Sequence, residues 1–141
     1  MKLREHLTFN MWIVIRRAED LPGQWVAHCL NVDVVTQGNS IKQALAMARA
    51  AVDETVIDDL DRRADPNKRQ APVAFWTEMF ELMKRGRPLA RTDEATEAET
   101  YALVVQVPMF FYRDHRRHAQ RRSRQPAIWA DAKPRNAAAT S

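Results

Sequence analysis

Few side chains in this chain are able to do chemistry, and their spacing limits what each could do. His115 and His118 stand three apart, so a helical segment would put both imidazoles on one face, where they could share a metal ion. Zinc needs more ligands than two, and this stretch supplies no cysteine and no further histidine, so no metal is expected. His28 and Cys29 set a base beside a nucleophile in sequence only, because neighbouring residues of a strand point to opposite faces. Asp20, Asp33, Asp53 and Glu54 are the acids near the expected sheet and helix, and clustered carboxylates could hold Mg²⁺ for phosphodiester hydrolysis. Asp20 falls at a hairpin tip, Asp33 beside the sheet, and Asp53 and Glu54 in mid-helix, so they do not converge at the ends of neighbouring strands. Gly23, Gly38 and Gly86 are too scattered to form a phosphate-cradling loop. These residues predict a protein that is not an enzyme and that needs no cofactor.

The remaining chemical signal is charge. Residues 113–141 hold eight basic and two acidic residues, a net +6, so the overall +4 leaves −2 for residues 1–112. Arg113, Arg116, Arg117, Arg121, Arg122 and Arg124 are the candidate nucleic-acid contacts, because clustered cations gain affinity for phosphates by releasing counterions. A solvated basic tail is the alternative reading of the same run. Met109-Phe110-Phe111-Tyr112, just before it, could stack bases. Consecutive large side chains in a strand more often divide between two packed faces, and that is the expectation here.

The elements that position these groups are legible in outline. Residues 11–15 are apolar on both faces, as in a central strand. Leu21-Pro22-Gly23-Gln24 reads as a tight turn joining strands at 12–17 and 24–30. A third strand is expected at 32–36. Gly38 then turns the chain out of the sheet with a positive φ. Ser40, three residues before Gln43, matches a capping box and starts a helix over 40–62. Ile41, Leu45, Ala48, Val52, Val56 and Leu60 form its apolar stripe. A second helix is expected over 72–85, lying beside the first, with Trp76, Met79, Phe80 and Met83 facing inward and Gly86 ending it. A late strand over 99–107 joins the sheet, with Pro108 confining it to an edge or ending its pairing. The fold class is therefore α+β: an antiparallel sheet of three or four strands, a long amphipathic helix packed on it and a shorter second helix. Residues 1–112 form the domain. Residues 113–141 are poor in core formers apart from Ile128 and Trp129 and are expected to be a disordered tail.

The run from Trp25 to the first helix resembles the N-terminal domain of HicB-type antitoxins. The likeness rests on Trp25 ahead of a short strand, Thr36-Gln37-Gly38 as a turn, Ser40 as a small polar cap, and Gln43-Ala44-Leu45 in an alanine-bearing helix. It covers roughly residues 8–62 and a late strand. The resemblance implies a partial ribonuclease H fold and a partner, a small basic RNA-cleaving toxin of the HicA kind, whose active surface the antitoxin occludes. Many such proteins also carry a helix-turn-helix or ribbon-helix-helix module. Neither pattern is recognisable here, and the 72–85 helix is longer than the short family form. The second function reading is a nucleic-acid-binding or orphan regulatory protein that works through the arginine run; the third is a solitary dimeric module.

Cellular context follows from composition. No stretch approaches the about 20 apolar residues of a membrane span, and MKLREHLTF lacks the apolar core of a signal peptide. Cys29, the single cysteine, cannot form an internal disulfide, which favours a reducing compartment. The expectation is a cytoplasmic protein without membrane contact. An exposed edge strand or the 72–85 helix would offer homodimer surfaces.

Overall fold

The structure is a computed structural model and describes residues 5–113, 120–123 and 126–132. The fold is α+β, with two helices and one antiparallel sheet. Its strands are β1 (Glu5–Arg17), β2 (Trp25–Cys29), β3 (Val34–Gly38), β4 (Arg87–Leu89), β5 (Thr100–Arg113), β6 (Gln120–Ser123) and β7 (Ala127–Ala132). The helices are α1 (Ile41–Asp61) and α2 (Val73–Arg85). Strand order is β3-β2-β1-β5-β7-β4, with β6 also pairing with β5. Among the described residues seven strands replace the expected three or four.

Much of the difference lies in the C-terminal segment. β6 pairs with the far half of β5 and β7 with its near half, both antiparallel and on the side away from β1. Ser123 lies opposite Met109 and Ala127 opposite Gln106. The expectation of a disordered tail fails at 127–132. Ile128 and Ala130 are buried on the α1 face of the sheet while Trp129 packs on the other, and this alternation gives the strand two faces to cover. The domain therefore extends past residue 112.

The expectation for Pro108 is corrected too: it sits inside β5, a strand flanked on both sides. Opposite Asn10 it continues the β1 ladder, and on its other side it falls between the pairs Gln106–Ala127 and Met109–Ser123. The missing N–H of proline is thus placed where, among the described residues, that side has no ladder pair. β5 needs no exposed edge to hold it. Ala102, Leu103, Val104 and Val105 are all buried, the continuous apolar run of a strand covered on both faces.

α1 covers one face and α2 the other, so the second helix lies across the sheet from the first and not beside it. Ser40 caps α1: its Oγ accepts from Gln43 N–H at 3.0 Å, while Gln43 Oε1 accepts from Asn39 N–H at 2.5 Å. Ile41, Leu45, Ala48, Val52 and Val56 are buried as their spacing predicts. At the C-terminal end Asp59 takes the innermost place instead of Leu60, because Arg69 reaches it with Nε and Nη2 at 2.6 and 2.8 Å. Those bonds push the Arg69 pKa further up and tie α1 to the short 3-10 turn at Pro66–Arg69. In α2, Met79 and Leu82 are the buried pair and Phe80 points outward, so the helix is rotated from the orientation its aromatic residues suggest.

Gly23 has φ +78° and allows the hairpin turn, where Gln24 N–H donates to Leu21 O at 3.1 Å. Gly38 does not have a positive φ and belongs to β3, where clearance is what it provides. A Cβ there would stand 2.5 Å from Ala44 N and 2.9 Å from Ala44 Cα, so only glycine lets α1 start this close above the strand. Thr36 Oγ1 donates to Ala44 O at 3.3 Å and fixes the same approach.

Candidate protein-binding groove

α2 covers the middle of its face of the sheet but not the β2–β3 side. The open remainder is a groove of about 580 Å³. Its floor comes from strand alternation: Trp25, Ala27 and Cys29 turn toward α1, which leaves Val26 and His28 for the other face, with Val14 of β1 and Val35 of β3 alongside. Pro72 and Phe75, at the start of α2, form the wall.

The turn between β2 and β3 is held in place by hydrogen bonds. Leu30 N–H donates to Trp12 O at 2.8 Å, Trp12 N–H donates to Asn31 Oδ1 at 2.7 Å, and Ala71 N–H donates to Leu30 O at 2.8 Å. Within this turn Asp33 takes φ +52°, a left-handed conformation that aspartate tolerates better than most residues. Its Oδ1 accepts from His28 Nε2 at 2.7 Å, and the Phe75 and His28 rings make a T-shaped contact at 4.9 Å and 80°. On the other flank Arg16 Nη2 pairs with Glu78 Oε1 at 2.7 Å, joining β1 to α2. Glu19 completes the rim. Three carboxylates against one guanidinium give the lining an acidic excess.

The lining has no thiol, hydroxyl or amine that the His28–Asp33 pair could activate. Cys29 is buried on the opposite face of the sheet, where burial pushes its thiol up to about 11. Asp20, Asp53 and Glu54 do not line the groove, and among the described residues no three His, Cys, Asp or Glu side chains are placed to hold a metal ion. What the groove offers is apolar contact and negative charge. Phe75 and Val35 remain 43% and 59% exposed, large apolar surface that a folded chain ordinarily covers.

Of the candidate nucleic-acid contacts, Arg113 ends β5 and Arg121 and Arg122 lie in β6, opposite Phe111 and Phe110. Arg116, Arg117 and Arg124 lie outside the described residues, as do His115 and His118. Met109 and Phe111 are buried in the core, and Phe110 is half-buried, so the aromatic run divides between faces as expected of a strand. The groove residues Arg16, Phe75 and Glu78 carried no sequence signal of their own. A weak one existed at His28: a polar residue beside Val26 on the strand face that the 41–60 stripe could not cover.

Comparison of the chain with protein-family models, with curated proteins and with solved structures returns no match. Among the described residues no helix is long and apolar enough to cross a membrane.

Proposed function

We propose that this protein is a cytoplasmic, non-enzymatic binding module that captures a small basic protein in the groove beside α2, in the way an antitoxin occludes its toxin. The observation that carries this reading is the pairing of an open apolar floor with an acidic rim. Phe75, Val35 and Val26 supply the desolvated contact on which protein interfaces depend, and Glu19, Asp33 and Glu78 favour a partner of positive potential. The resemblance of the Trp25–Leu45 region to HicB-type antitoxins supports a basic, RNA-cleaving toxin as that partner.

The test is capture from nuclease-treated lysate of the source cells by the full chain and by Phe75→Ala. Phe75 is half-exposed, so its truncation leaves the core intact. The expected result is a small basic protein in near-equal amount on the wild-type chain and at least about tenfold less on the variant, as loss of an interface anchor implies. Equal recovery on both would remove the groove from the reading.

The second reading, nucleic-acid binding through the arginines, draws on the placement of Arg113, Arg121 and Arg122 in paired strands. Deleting residues 113–141 cannot test it, because that would remove β7 from the sheet. Replacing the six arginines by glutamine can. Binding that persists only with nucleic acid present, falls steeply with salt and is lost in that variant would favour this reading over capture of a protein.

A further inference from the structure

The two lateral edges of the sheet are built differently. β4 is three residues long and carries Arg87 and Pro88, a charge and a missing N–H, the usual means of discouraging a further strand. β3, at the opposite edge, reads Val34-Val35-Thr36-Gln37-Gly38 and has neither charge nor proline. Among the described residues it pairs with β2 only. On the groove face of this edge Val35 is 59% exposed.

We infer that β3 is the contact through which two copies of this chain pair, antiparallel about a two-fold axis at Thr36, to form one sheet across both copies. Self-pairing sets a strand against its own reverse, so the sequence must be complementary to itself. About Thr36, Val34 faces Gly38 of the other copy and Val35 faces Gln37, so no two like charges stand opposite. Thr36 opposite Thr36 is a favourable cross-strand pair. The dimer also sets the two acidic-rimmed grooves on one continuous sheet face, because Val35 belongs to both the groove and the edge. This inference does not depend on what the groove binds.

The register makes a charge-swap test possible. In the proposed pairing residues 35 and 37 of opposite copies face each other on the same side of the sheet. Val35→Lys with Gln37→Lys therefore puts lysine against lysine twice, whereas Val35→Lys with Gln37→Glu puts lysine against glutamate twice. Both side chains are exposed in the single chain, so the circular dichroism of both variants should match the wild type. Sedimentation equilibrium of the full chain should give twice the 16.3 kDa chain mass. The Lys/Lys variant should weaken dimerisation at least about tenfold, and the Lys/Glu variant should restore it. A wild type that stays monomeric at high concentration, a dimer indifferent to Lys/Lys, or a Lys/Glu variant as weak as Lys/Lys would each overturn the inference. The first result would leave the edge to a strand of another protein; the second would place the dimer contact elsewhere.

Discussion

Replacing Ile128 by Ala would take three carbons out of a side chain that is 2% exposed, opposite Val105 in the sheet and within the core beneath α1. At about 0.8 kcal/mol per buried methylene, transfer alone accounts for roughly 2.4 kcal/mol. The cavity left behind adds to that, and the expected loss is about 2–5 kcal/mol. Set against the roughly 5–15 kcal/mol that holds an ordinary domain together, this is a large fraction. For a chain of this length it lowers the melting temperature by about 10 °C, taking roughly 3 °C per kcal/mol. Urea unfolding followed by tryptophan fluorescence and by circular dichroism would measure it, with Leu21→Ala, half-exposed near the hairpin turn, as a control expected to stay within about 0.5 kcal/mol. If Ile128→Ala matched that control, residues 127–132 would not be an integral strand. The sheet would then end at β5, and the account of Pro108 would fail with it.

Gly38→Ala should destabilise by about 1–3 kcal/mol, because the new methyl meets backbone atoms of α1 that cannot turn aside; an unchanged urea midpoint would refute the close approach of helix and strand. The Cys29 thiol is pushed up to about 11 in the folded state and ionises near 9.0 when unfolded, so folding favours its protonated form. The resulting stability, up to roughly 2–3 kcal/mol, is fully present below pH 9 and is lost as pH rises through about 11. Subtracting the same profile for Cys29→Ala isolates this contribution, and two parallel profiles between pH 8 and 10.5 would show the thiol to be in contact with water.

Local chemistry was readable from the sequence wherever it acts over a few residues. The Ser40–Gln43 cap, the Gly23 turn and the 41–56 stripe are each defined by neighbours within one or two turns, and all are present. The two apolar faces of residues 11–15 announced a central strand, and β1 lies between β2 and β5. The side taken by α2 was not readable. Its aromatic residues argued for an inward Phe80, while burial of Met79 and Leu82 against Val14 and Val104 decided otherwise. Gly38 was legible as a special position but for the wrong reason, since crowding by a helix several residues later leaves no trace in local sequence.

Residues 127–132 mark the limit most clearly. One isoleucine and one tryptophan among alanines and an aspartate carry too little periodic signal to name a strand, and an arginine-rich run precedes them. They become one because β5 offers an unpaired edge and two covered faces at that place. The groove has the same origin: His28 and Asp33 are five residues apart, but Phe75 and Glu78 line the same groove only because α2 packs across the sheet face toward which Val26 and His28 turn. The sequence by itself determined the turns, the caps and the faces of each element, because those follow from bonds and spacings within a few residues. Tertiary structure alone decided which edges pair, which face each helix covers and which side chains meet in the groove, because each of those depends on a partner distant along the chain.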